Sequence, residues 1–254
     1  MQTILTQNRD AMGDWVGRHA ATDLRNRISE NGSACLIVAT GASQFEVLAS
    51  LCEQPGIDWS CVDAFHLDEY VGIDADHPAS FCGYLKKRFA DRVKPRSFHY
   101  LDGTTDPLET IRNASVAIEQ HTIDVALIGI GENGHLAFND PPADFETRDP
   151  YLLVQLDHAC RQQQVGEGWF ATIDDVPRQA ISMSVQQILS ARRIYCSVPD
   201  SVKSTAVLDT LTRDIESRFP STILRAHDGA TLVIDQASAE RLDAVHRKTL
   251  QVAE

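Results

Sequence analysis

Four short segments carry residue types and spacings able to do chemistry on a charged small molecule. The run Phe65-His66-Leu67-Asp68-Glu69-Tyr70-Val71-Gly72 sets two adjacent carboxylates after an apolar stretch. Neighbouring side chains on extended backbone point to opposite faces, so one carboxylate can enter a cleft while the other turns away. A carboxylate whose pKa is lifted toward neutrality by partial burial is suited to general-base work, so whichever of Asp68 and Glu69 faces the cleft is a candidate base. The plainer reading of an Asp-Glu pair is a solvated acidic turn.

The second segment is Gly129-Ile130-Gly131-Glu132-Asn133-Gly134-His135-Leu136-Ala137-Phe138-Asn139-Asp140-Pro141-Pro142. Gly129, Gly131 and Gly134 match the dinucleotide pattern G-x-G-x-x-G, but the tail runs into Asn-Asp-Pro-Pro rather than a helix, and the pattern falls late in the chain. A glycine-rich turn remains, in which Gly131 and Gly134 permit close backbone approach to a ligand and a histidine is presented among Glu132, Asn133 and Asp140. A histidine oriented by a carboxylate shuttles protons near neutral pH, because the partner fixes the tautomer and stabilises the cation. Isolated histidines are usually structural, the reading given to His19, His99, His121, His158 and His246.

Two further loops suit an anion. Ala39-Thr40-Gly41-Ala42-Ser43 joins a strand to a helix and supplies hydroxyls, a glycine and free N–H groups at a helix start; it is either a phosphate cradle or an ordinary turn capped by Ser43. In Pro199-Asp200-Ser201-Val202-Lys203 a lysine falls in the first turn of a helix, where the dipole does not favour a cation, so Lys203 either faces an anionic ligand or merely points to water.

The elements that must position these loops follow from periodicity. Short apolar runs at Cys35 to Ala39, Cys61 to Leu67, Asp124 to Ile130, Arg193 to Val198 and Ala230 to Ile234 read as buried strands. Helical spacing between them predicts helices over Arg9 to Glu30 (stopped by Asn31-Gly32), Gln44 to Glu53, Ala79 to Arg92, Thr105 to Gln120, Val185 to Ala191, Ser201 to Thr212 and Ser238 to Gln251. This alternation predicts an α/β fold: a Rossmann-like three-layer sandwich with a mostly parallel central sheet and helices on both faces. Ligands of such sheets bind at the carboxyl ends of the strands, where all four loops fall. No repeat or linker divides the chain, so residues 1–254 are expected to form one domain.

With 23 Lys and Arg against 36 Asp and Glu, the net charge of -13 argues against nucleic acid and anionic membrane as partners. No apolar stretch approaches the roughly 18 residues of a membrane span. Six cysteines without a C-x-x-C pair, and a start lacking a secretory signal, predict a cytoplasmic protein with neither disulfides nor a metal site. Cys35, Cys61 and Cys196 lie in strand-like runs and read as small buried hydrophobes.

Together Asp68-Glu69-Tyr70-Val71-Gly72, Asp76-His77-Pro78-x-Ser80, Gly131-x-x-Gly134-His135-Leu136-Ala137-Phe138-Asn139 and Lys203 resemble, in order and spacing, the glucosamine-6-phosphate deaminase/isomerase family. The likeness extends from Thr40-Gly41 through Pro220-Ser221-Thr222-Ile223-Leu224-Arg225-Ala226-His227 to Ile234. It implies an enzyme without cofactor that opens the ring of an amino-sugar phosphate, moves a proton between C2 and C1, and releases the 2-amino group as ammonia. By this resemblance Asp68 is the base at the sugar carbons, Glu69 is placed among the residues that hold the substrate, and His135 assists ring opening. Asn133, Asp140 and Glu132 surround that histidine. Thr40, Gly41, Ala42, Ser43 and Lys203 hold the phosphate, and Arg161 matches a family arginine. The implied partner is a phosphorylated sugar, and the sequence leaves a homo-oligomer open.

Three departures from the family pattern bear on the site. Its Asn-Asp-Gly-His reads Glu132-Asn133-Gly134-His135, so a neutral amide stands where an aspartate supports the histidine, and Glu132 is the neighbouring acid that could replace it. Its Asn-Glu-Pro reads Asn139-Asp140-Pro141, and a later phosphate-binding arginine is missing from Asp157 to Phe170. The segment Ala143 to Leu153 lacks the serine and basic residues with which some members bind an acetylated sugar-phosphate activator, so no such control is expected. Two alternatives compete: a 6-phosphogluconolactonase, whose family has Arg where Tyr70 stands, and a non-catalytic sugar-phosphate sensor.

Overall fold

The computed structural model describes residues 1–248 and 250–253. Strands are β1 (Gln2–Thr6), β2 (Ala34–Val38), β3 (Val62–His66), β4 (Asp68–Tyr70), β5 (Ser97–His99), β6 (Val125–Ile128), β7 (Tyr151–Gln155), β8 (Gln179–Met183), β9 (Arg193–Val198), β10 (Ala230–Asp235) and β11 (Gln251–Val252). Helices are α1 (Arg9–Asn31), α2 (Phe45–Glu53), α3 (Phe81–Leu85), α4 (Asp91–Val93), α5 (Pro107–Ile118), α6 (His158–Gly166), α7 (Val185–Leu189), α8 (Ser204–Thr212) and α9 (Ala244–Arg247).

The runs β2, β3, β6 and β10 are buried along their whole length, which is what a parallel sheet covered on both faces demands of its central strands. The main sheet has the order β11-β1-β10-β9-β6-β2-β3-β5, with every neighbouring pair parallel. Alternate residues supply opposite faces. Leu36, Val38, Val125 and Leu127 pack with Met12, Val16, Ala20 and Leu24 of α1 and Val47, Leu48 and Leu51 of α2. Cys35, Ile37, Ala126 and Ile128 pack with Ile118 of α5, Ile188 of α7 and Val207 of α8. The α/β sandwich with helices on both faces is therefore the observed architecture.

From β2 the chain winds outward through β3 to β5, then returns to β6 on the other side of β2 and continues to β9 and β10. The winding reverses between β2 and β6, so their C-terminal ends flank an open crevice. The Thr40–Ser43 loop follows β2 and the Gly129–His135 loop follows β6.

A second, antiparallel sheet has the order β4-β8-β7 and was not read from the sequence. Its strands are short, mix polar with apolar residues, and come from distant segments, so no local period announces them. β1, β5 and β11 were missed for the same reason, as was α6. The strand expected from Cys61 begins at Val62, and Cys61 is a partly exposed residue of a 3-10 turn, not a buried strand hydrophobe. All six cysteines are free.

Two expected helices differ. The one over Ala79 to Arg92 starts at Phe81, with the Ser80 hydroxyl accepting from the Gly83 N–H, and passes through a π turn at Lys86–Ala90. The one over Ser238 to Gln251 does not form. The Ser238 N–H donates to Asp235 while the Asp235 N–H donates to the Ser238 hydroxyl, a local turn that competes with a helix start. Asp243 then caps the single turn α9, and β11 pairs with β1. Thr249, inside that expected helix, lies outside the described residues. Among the described residues no helix is long and apolar enough to cross a membrane.

Candidate active site

A cleft of about 360 Å³ opens at the crevice between β2 and β6, and it gathers residues from all four loops singled out by the sequence. Thr40, Gly41, Ala42, Ser43, Asp68, Gly131, Glu132, His135 and Lys203 all line it.

Asp68 sits where the chain changes sheets. The Leu67 N–H donates to Val38 O of the main sheet, and Leu67 O accepts from the Met183 N–H of the second. Hydrogen bonding on both sides fixes the backbone just before the carboxylate. Asp68 is 6% exposed, and burial, helped by the charge of Glu69, pushes its pKa up to about 8. An acid so placed holds its proton near neutrality and becomes a strong base once it is lost.

Glu69 turns the other way and does not line the cleft, contrary to the expectation that it binds substrate. Its carboxylate accepts from the N–H groups of Tyr70 (2.9 Å), Phe81 (3.2 Å) and Cys82 (2.7 Å) and from the Ser80 hydroxyl (3.0 Å). It therefore anchors the start of α3 to β4. Burial lifts its pKa to about 6 against the pull of these four bonds.

His135 is held by residues of its own loop. Its Nδ1 lies 3.0 Å from Asp140 Oδ1, and its backbone N–H donates to Asn133 Oδ1 at 3.0 Å. The Asn133 amide also donates to Asp140 Oδ1 at 3.0 Å. The hydrogen bonds of Asn133 thus go to the His135 backbone and to Asp140, bracing the loop and the aspartate. The negative partner is Asp140, and not Glu132, which lines the cleft without an ion pair to the histidine. For Asp140, burial opposes ionisation, yet hydrogen bonds from His135, Asn133 and the Asp157 N–H leave its pKa below the usual carboxylate value.

Asn133, Asp140 and Gly134, all expected at the site, stand behind the cleft wall. The Gly134 N–H donates to Gly131 O, and Gly134 O accepts from the Ser221 N–H, which seats the loop on the turn Pro220–Ala226. A Cβ on Gly131 would come 2.3 Å from the His135 ring, so that position must be glycine for the imidazole to lie where it does. Asn139 pins the loop's far end through its amide to Leu136 O and Met183 O.

The Cys160 thiol also hydrogen-bonds Asp140, and burial first, then that acid, raise the pKa of the thiol strongly. His135, Asp140 and Cys160 bring their donor atoms within 4.8 Å of one another, close enough for a metal ion.

At the other end, Gly41 has φ 91°, which lets the backbone turn outward before the 3-10 turn Ala42–Gln44. Ser43 lies inside that turn and does not cap α2. Lys203, in the turn Ser201–Lys203, is 8% exposed and, among the described residues, is the one lysine or arginine lining the cleft. Arg9 joins the two loops, donating to Ala42 O at 2.6 Å and to Asp200 Oδ2 at 3.1 Å. Read from sequence only as a helix start, Arg9 gave no signal of this link.

Arg161 does not reach the cleft; its guanidinium hydrogen-bonds the Ile173 carbonyl. Helix α6 instead contributes Gln163, Gln164 and Gly166, with Glu167 just beyond it. Gln163 Oε1 accepts from the Glu132 N–H at 3.0 Å, and Gln164 Oε1 accepts from the Tyr70 hydroxyl at 2.6 Å. The sequence signalled this wall only by the arginine it lacks.

Comparison with known proteins agrees with this geometry. Residues 7–233 match the model of the family described as glucosamine-6-phosphate isomerases/6-phosphogluconolactonase. A glucosamine-6-phosphate deaminase of Clostridium acetobutylicum is 30% identical over 236 residues, covering 90% of this chain and 96% of that protein. One from Lysinibacillus sphaericus is 33% identical over 211 residues, covering 82% and 93%. The solved structure of a monomeric glucosamine-6-phosphate deaminase superposes with a TM-score of 0.86 at 28% identity, covering 94% of this chain and 99% of that one. A 6-phosphogluconolactonase from Shewanella baltica shares the fold, with a TM-score of 0.76 at 20% identity over 92% and 97% of the chains. A family match spanning nearly the whole chain, with the family's motif residues gathered at one crevice, means that this protein belongs to the glucosamine-6-phosphate isomerase/6-phosphogluconolactonase family.

Proposed function

We propose that the protein is an enzyme converting glucosamine 6-phosphate to fructose 6-phosphate and ammonia, with Asp68 as the base at the sugar carbons. The observation carrying this reading is a buried carboxylate, raised to about 8, on the wall of the cleft that also holds His135 and its Asp140 partner. His135 passes a proton to and from the ring oxygen as the sugar opens, and Asp140 stabilises the imidazolium that forms. Asp68 takes the C2 proton of the open aldose and returns it to C1. This leaves an imine at C2, whose hydrolysis gives the ketose and ammonia. The Thr40–Ser43 loop and Lys203 receive the phosphate. The deaminase activity named for the relatives and the likeness of the monomeric deaminase support the same reading.

The test is to supply glucosamine 6-phosphate, glucosamine, glucose 6-phosphate and 6-phosphogluconolactone in parallel and to measure ammonia, ketose and acid. Ammonia and fructose 6-phosphate in equal amounts from the first substrate are expected. Acid from the lactone without ammonia from the amino sugar would replace the reading with a lactonase.

A further inference from the structure

The anion end of the cleft already contains an anion of its own. Glu167 Oε1 lies 3.6 Å from Lys203 Nζ, and the two side chains are 21% and 10% exposed. Two neutral donors hold the carboxylate there: Gln163 Nε2 at 2.6 Å to Oε1 and Trp169 Nε1 at 3.1 Å to Oε2. Trp169 in turn packs edge-on against Phe45 and Tyr84, and the Tyr84 hydroxyl donates to Gly41 O. The support of Glu167 is thus built onto α2, α3 and the very loop that lines the cleft together with Lys203. A surface carboxylate free to swing into water needs no such anchoring.

Among the described residues, Asp68, Glu132, Asp200 and Glu167 line the cleft against a single lysine. Any phosphate reaching Lys203 meets a lysine already neutralised at short range. It must either push Glu167 aside, losing the ion pair, or bind with two like-charged groups close together.

From this geometry we infer that Glu167 is a specificity-determining residue: it is the resident counter-ion of Lys203, and it weakens the cleft's hold on phosphate esters relative to unphosphorylated sugars. The inference rests on the reading of the cleft as a sugar-phosphate site. Its consequence is a site that grips the phosphate loosely and lets a phosphorylated product leave readily.

The experiment uses the full chain with Glu167→Gln and Glu167→Asp, titrated with inorganic phosphate by calorimetry and assayed with glucosamine 6-phosphate and glucosamine. Glutamine keeps the size and removes the charge; aspartate draws the carboxylate back by one methylene. The dissociation constant for phosphate should fall about five- to tenfold in Glu167→Gln, with a smaller fall in Glu167→Asp. The ratio of kcat/KM for the phosphorylated over the unphosphorylated sugar should rise by a similar factor. Unchanged or weaker phosphate binding in a variant that keeps the wild-type circular dichroism overturns the inference; if Glu167→Gln fails to fold, Glu167→Asp is judged by the same criterion. A role confined to structure would lower kcat/KM for both sugars together, and that result also overturns it. If the wild type binds phosphate yet releases no ammonia, the proposed reaction fails while the counter-ion is still judged by the phosphate titration.

Discussion

Asp140 Oδ1 lies 3.0 Å from His135 Nδ1, and the same oxygen accepts the Asn133 amide. The family pattern places an acid at the position of Asn133, and here the charge reaches the imidazole from the far end of the loop. Asp140→Asn should therefore lower kcat/KM for ammonia release about a hundredfold, because an amide orients the ring without stabilising its cation. Asn133→Ala, which leaves the charge in place, should have the smaller effect. Steady-state assays of both variants check the order; equal losses would mean that the loop's shape, and not the charge of Asp140, matters.

Asp68 is held protonated by the fold, and this has a measurable price in stability. Its folded pKa of about 8 lies above the unfolded 3.8, so the native state binds the proton more tightly and loses stability as pH rises between those values. The loss is about 1.4 kcal/mol per pH unit over that window. Asp68→Asn should accordingly be more stable than the wild type, with an advantage that grows from pH 4 to pH 8. Urea unfolding at several pH values reads this directly; an advantage independent of pH would contradict it.

His66 predicts the opposite slope. It is fully buried, burial lowers its pKa to about 3, and its Nε2 has no hydrogen-bond partner among the described residues while Nδ1 accepts from the Leu101 N–H. A base depressed below its unfolded 6.5 leaves the proton to the unfolded chain, so stability is full above pH 6.5 and falls as pH drops toward 3. Between pH 6.5 and 5 the loss should be about 2 kcal/mol. His66→Asn, which keeps an acceptor for Leu101, should remove that acid-dependent part in the same urea measurements.

The parallel sheet was legible because its central strands are apolar without alternation and its loops carry turn residues. The crevice was legible because Asp68, His135, Thr40 and Lys203 each follow such a strand. Glu69 was misread because sequence gives no direction for a side chain, and its neighbour Ser80 and the N–H groups of Phe81 and Cys82 claim it only after α3 folds back. Arg161 was misread because its helix, α6, turns it toward Ile173 and presents Gln163 and Gln164 to the cleft. The second sheet was invisible because its pairings, such as Asp68 with Ser182, join residues far apart in the chain. Glu167 carries no motif, and only its distance to Lys203 gives it meaning.

The central claim is that Asp68 is the base, and the pH dependence of ammonia release from glucosamine 6-phosphate tests it most directly. Wild-type kcat/KM should climb about tenfold per pH unit below pH 8 and level off above it, as the carboxylate with a pKa of about 8 loses its proton. Asp68→Asn should retain less than about a thousandth of the activity at every pH. Near wild-type turnover in that variant, or a wild-type profile flat between pH 6 and 8, would contradict the account.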